Sequence, residues 1–179
     1  MCQAGDESLS GRHVTFPMLW VSPVPRGPVV WPAVSAWQTR TVSIDDLPPA
    51  EFAYPGPLRD KLVAAILAGD KTATTSLKVQ YDTVGDPLPA AGERTALVDS
   101  AGNRVAVVET IDVRVVRLGD VDLAFARAEG EGFASVAEWR AAHERFWTTS
   151  EAREEIPDDF VVDDDALVVQ EFFRVDRSA

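Results

Sequence analysis

Positive charge, cysteine and long apolar runs are all scarce in this sequence, and each scarcity narrows what the chain can do. Seventeen Lys and Arg stand against 29 Asp and Glu, for a net charge of −12. Affinity for duplex nucleic acid comes mostly from Lys and Arg displacing condensed counterions, so a face that coats duplex DNA is not expected. The single cysteine, Cys2, cannot form an internal disulfide or build a thiolate zinc cluster, and nothing argues for secretion. No run approaches the roughly 18 apolar residues that would suggest a membrane span. These absences predict a soluble cytoplasmic protein that does not engage membranes.

The acidity is local. Glu151, Glu154, Glu155, Asp158, Asp159, Asp163, Asp164 and Asp165 face only Arg153 within one short segment, which accounts for −7 of the −12. The remainder is mildly acidic and leaves room for a basic pocket that takes a nucleotide or a short single strand. The acidic run itself reads as a solvated loop that could gate a cleft by repelling phosphate.

At 179 residues the chain has the length of one ordinary domain with a full core. Residues 1–41 hold five of the twelve prolines and Trp20, Trp31 and Trp37, with no helical or strand period. They read as a tail, either disordered or translated from upstream of a true start near Val42, and residues 42–179 as the domain. An arm packed on the domain through its tryptophans is the alternative.

Pro57 suits a first helical turn, Leu58, Leu62, Val63, Ile66 and Leu67 share one helical face, and Gly69 is a stop. Residues 71–76 are rich in β-branched side chains, and Gly85, Pro87, Pro89 and Gly92 mark a loop. Residues 94–99 and 104–109 flank a turn and predict a hairpin, continued as strand over 111–117. Asp120 can cap a short helix that ends at Gly130, and Ser135 with Glu138 forms a capping box for a helix carrying Trp139 and Trp147. Residues 166–175 alternate as a last strand. This pattern predicts an α+β fold in which five to six short strands close into a barrel with flanking helices.

The segment 69–76, GDKTATTS, resembles the G-x-K-T-x-T signature of the ASCH family. In the same order follow LPAAG at 88–92, VVET at 107–110, EGEG at 129–132, and the spaced Trp139, Arg140, His143, Phe146 and Trp147. The likeness covers about residues 58–175; Phe133 and Trp147 depart from the residues usual at their places. The resemblance implies a PUA-like β-barrel with a cleft for RNA or a nucleoside. It also implies hydrolysis in some members: cleavage of single-stranded RNA in longer relatives carrying EGEG, or N4-acetylcytidine amidohydrolysis in compact ones. A noncatalytic RNA-binding module is the third reading.

Carried over from the amidohydrolase relatives, the catalytic set is Lys71, Thr74 and Glu129. A threonine hydroxyl needs a base, which a desolvated lysine can provide, and a carboxylate can position water or move a proton. Glu131, Ser135, Arg140, His143 and Tyr81 are candidate substrate-binding residues. Each also has a plain structural explanation: Lys71 after a helix C-terminus, Thr74 opening a strand, Ser135 as a cap, His143 packed on Trp139 one turn away. Strict strand alternation would send residues 71 and 74 to opposite faces, so the set requires Lys71 to lie in the turn. No cofactor is required; a loosely held divalent ion on Glu129, Glu131 and Glu109 is conceivable, without a dedicated metal spacing. The expected partner is single-stranded RNA or a modified nucleoside, and the sequence leaves the oligomeric state open.

Overall fold

The structure is a computed structural model that describes residues 43–176 and the strand residues Trp20–Val21. The reading of 1–41 as a tail otherwise lies outside the described residues. The sheet has six strands: β1 (Trp20–Val21), β2 (Pro49–Glu51), β3 (Ala73–Leu77), β4 (Arg94–Val98), β5 (Arg104–Arg117) and β6 (Leu167–Asp176). Their order is β1-β2-β4-β5-β6-β3, antiparallel except for the parallel β2–β4 pair.

This corrects the expected closure: β3 and β1 are the two edges of the sheet and do not pair, so it is not a closed barrel. The reason lies in how each face is covered. Helix α1 (Pro57–Ala68) joins β2 to β3 and presses Leu62, Val63 and Ile66 onto Leu97, Val108 and Phe173, filling one side of the sheet with helix rather than strand. The opposite face packs Ala73, Leu77 and Val168 against Phe125 of α3 (Leu123–Ala128) and Trp139 and Trp147 of α4 (Val136–Trp147). Burying both faces of β3 and β6 this way removes the drive to close.

The long helix begins and ends as its sequence predicts, with Gly69 left-handed at φ 85°. Its apolar stripe is narrower than read, because Leu58 and Leu67 are exposed. Half of the expected capping box is present: Ser135 Oγ accepts from the Glu138 amide, whereas Glu138 Oε2 reaches past the cap to accept from the Ala134 amide. Asp122, rather than Asp120, caps α3, its Oδ1 accepting from the Phe125 amide at 2.8 Å, while Asp120 closes a 3-10 turn. Among the elements that escaped the sequence pattern are the three-residue β2 and helix α2 (Lys78–Val84) directly after β3.

The acidic segment is less solvated than expected. It opens with the short helix α5 (Ser150–Arg153), and Glu155 is buried with its Oε2 accepting from Gln80 Nε2. Asp164 pairs with Arg140 and Asp165 with Arg117.

A cleft between α1, the start of β3 and α4

The turn after α1 sets the site. The Lys71 amide donates back to the Ala65 carbonyl and β3 starts only at Ala73, so Lys71 belongs to the turn and escapes the strand's alternation. Lys71 and Thr74, both about 3% exposed, therefore line one cleft of about 190 Å3. Its apolar wall comes from Phe52, Leu58, Leu62 and Phe146, and its polar wall from Lys71, Thr74, Glu131 and His143. Thr74 makes no side-chain hydrogen bond with any described residue, which leaves its hydroxyl available to a ligand.

The EGEG turn grips the lysine from the other side. Lys71 Nζ donates to the backbone carbonyl of Glu129 and to Glu131 Oε1, both at 3.1 Å. Gly130 makes this approach feasible. Its φ is +66°, and a Cβ there would stand 2.4 Å from the Asp70 carbonyl oxygen and 2.6 Å from Lys71 Cα.

The two carboxylates of this turn have separate surroundings. Glu131 keeps about a quarter of its side chain exposed and faces the cleft. Glu129 is fully buried behind it; Thr75 Oγ1 donates to its Oε1, and His143 Nε2 lies 3.1 Å from its Oε2, an ion pair when the imidazole is protonated. Burial pushes the Glu129 carboxyl up, but the adjacent His143 ring, the Lys71 charge and the Thr75 hydroxyl outweigh it and hold the group below the usual carboxylate range. His143 is fixed by its Nδ1 on the Trp139 carbonyl at 2.9 Å and by the Trp139 ring 4.3 Å away.

Of the residues singled out from the sequence, Lys71, Thr74, Glu131 and His143 converge on the cleft, and the carboxylate of Glu129 supports it from behind. The others lie elsewhere. Ser135 is occupied as the α4 cap. Arg140 is paired with Glu144 and Asp164. Tyr81 sits on α2 near Ser76 and Glu171, where burial and then the Glu171 charge raise its hydroxyl pKa; it does not line the cleft. Trp139 and Trp147 are fully buried and serve as core, not as stacking platforms. Glu109 pairs with Arg174, so it does not meet Glu129 and Glu131, and among the described residues no three candidate ligands gather for a metal.

Sequence reasoning missed Thr75, which the alternation of β3 places on the Glu129 side, and it missed the cleft's lip. Ala53 has φ 60°, unusual for a residue with a side chain, and its carbonyl accepts from Arg59 Nε and Nη2 at 2.9 and 2.6 Å. Arg59 is itself buried and paired with Glu51. No sequence signal marks Ala53; a lone arginine on an apolar helical face was the only hint available at Arg59.

Residues 51–176 match the family model of the ASCH domain. The chain is also similar to a solved ASCH domain from Lactobacillus crispatus JV V101, at 29% identity and a TM-score of 0.61 over 70% of this chain and 76% of that one. A second solved structure, protein EF3133 from Enterococcus faecalis V583, is 26% identical with a TM-score of 0.61 over 70% of this chain and 74% of that one. No curated protein matches the chain. Among the described residues no helix is long and apolar enough to cross a membrane.

Proposed function

Since the chain belongs to the ASCH domain family, which is associated with RNA binding, we propose that its cleft holds a single unpaired nucleobase or nucleoside and hydrolyses an acyl amide on it. The observation that carries this reading is the convergence of Lys71, Thr74 and Glu131 on one cleft beside an apolar wall. At about 190 Å3 the space is below the ~300–1,000 Å3 typical of drug-sized ligands, which suits one base and not a folded RNA. The charge of Lys71 is matched by Glu131 at 3.1 Å, so among the described residues the cleft offers no surplus cation for a phosphodiester. That balance favours an uncharged substrate.

The three groups have complementary work. The Thr74 hydroxyl adds to the acyl carbon while its proton passes to the Glu131 carboxylate. Lys71, donating to Glu131 and to the Glu129 carbonyl, orients that carboxylate and supplies positive charge near the oxygen that becomes negative. The C–N bond then breaks with the proton delivered to the departing amine, and water hydrolyses the threonine ester to restore the hydroxyl. In this reading Glu129, the carboxylate expected in the set from the sequence, supports the turn from behind the cleft.

Purified protein and its Lys71→Ala variant, incubated separately with N4-acetylcytidine and with a single-stranded RNA oligonucleotide, test the reading. Deacetylation by the wild type, reduced at least about 100-fold by Lys71→Ala, is the expected result. RNA cleavage lost in the variant would favour a ribonuclease. Binding without turnover of either probe would reduce the cleft to a recognition module.

A further inference from the structure

Of the buried carboxyl groups outside the set of Lys71, Thr74 and Glu131, one shares a strand pair with Thr74. Glu171 of β6 is 4% exposed and pairs directly opposite Thr74 of β3. Residues directly opposite across an antiparallel pair project to the same face with their Cβ atoms about 5 Å apart. The same face carries Phe173, whose ring meets Phe52 of the cleft wall at 5.6 Å. Glu171 therefore lies beside Thr74 on the face of the sheet that Phe52 covers, next to the cleft rather than in its lining.

Among the described residues its neighbours do not compensate a negative charge. From β5, Thr110 Oγ1 donates to Glu171 Oε1 at 2.6 Å and Val113 stands opposite in the ladder. From α2 comes the Tyr81 hydroxyl group, and from the loop ahead of β4 the carboxylate of Glu93. Thr74 is the neighbour on β3, and the nearest cation of the cleft, Lys71, is committed to Glu131. Burial pushes the Glu171 carboxyl up to about 7; the Thr110 hydrogen bond opposes the rise and the Glu93 charge adds to it.

We propose that Glu171 is a positioning residue acting on Thr74 across the β3–β6 pair: uncharged, it keeps the sheet face beside Thr74 neutral, and ionised, it opposes the negative charge that develops when the Thr74 oxygen attacks. The inference rests on the hydrolase reading above. An ionised carboxyl one strand from the attacking oxygen works against the same developing charge that Lys71 favours, and inside a desolvated site that opposition is weakly screened. The proton on Glu171 thus permits turnover, and its loss slows it.

The test is the pH dependence of kcat/KM for N4-acetylcytidine, from pH 5.5 to 9, measured on the full chain and on Glu171→Ala, Glu171→Gln and Thr110→Val. Glutamine reproduces the uncharged acid and can still accept from Thr110. The wild type is expected to lose about tenfold or more across neutrality, Glu171→Gln to remove that alkaline fall with the Thr110 bond kept, and Glu171→Ala, uncharged at every pH, to remove it as well while losing that bond. Thr110→Val, which deletes the bond that favours the ionised form, is expected to move the fall to higher pH. A Glu171→Gln enzyme that keeps the wild-type fall, or a Thr110→Val fall that does not move, overturns the inference while leaving the hydrolase reading in place. Absence of turnover by the wild type defeats both.

Discussion

Glu129 and Glu131 are separated by one glycine and face different surroundings, and that separation sets their chemistry. Glu129 has the stronger case on paper, a carboxylate at a helix end where it costs a little. The structure gives that carboxylate an internal task, since Thr75 and His143 anchor it while its backbone carbonyl holds Lys71. Glu131 reaches the cleft because Gly130 lets the turn close against Asp70 and Lys71. Gly130→Ala is therefore expected to destabilise the protein by more than about 2 kcal/mol in chemical denaturation, from a strained positive φ and a backbone clash together. The residues of the site were legible as types and order. Which acid lines the cleft was not, because sequence spacing does not show which of two acids two residues apart turns inward.

At the scale of elements, the local signals that held were those with a mechanism confined to a few residues. Pro57 opened α1, Gly69 ended it, and Ser135 with Glu138 capped α4. The cap of α3 was misplaced by two residues because Asp120 and Asp122 are equally good acceptors in sequence, and only the path of the 3-10 turn decides between them. Asp122→Ala is expected to cost about 1 kcal/mol in a denaturant titration, and Asp120→Ala less than about 0.5 kcal/mol. Helix α2 was illegible because its seven residues follow β3 without a break and its start is fixed by Gln80, whose side chain accepts from the Leu77 amide. Strand β2 was illegible because three residues carry no period. Closure of the sheet failed as an expectation for a different reason: alternation along strands says which face is buried, and cannot say whether helix or strand buries it.

For the whole molecule, the excess of acid is spread unevenly between surface and interior. Glu155 and Glu171 are buried, and desolvation lifts each to about 7, Glu155 against a Gln80 hydrogen bond and with the added charge of Glu154. A carboxyl whose folded value lies above its unfolded value favours folding while it is protonated in the native state. That contribution is fully present below the unfolded value and is lost as pH rises toward 7. Glu129 works the other way, its stabilisation present above the unfolded value and lost as pH falls through its depressed one. Thermal melts are therefore expected to peak in mildly acidic buffer and to drop by roughly 5 °C between pH 5.5 and 8, with Glu171→Gln reducing that drop. The same architecture places α1 on one side of the sheet and α4 on the other, so that the turn at Lys71 and the turn at Glu131 meet at the β3 edge. That meeting is best tested by comparing Glu131→Gln with Glu129→Gln in kcat for N4-acetylcytidine at constant fold, checked by circular dichroism. The account predicts a loss of at least about 100-fold with KM little changed for Glu131→Gln, and a smaller loss accompanied by a lower melting temperature for Glu129→Gln. Full activity in Glu131→Gln together with an inactive but folded Glu129→Gln would contradict it.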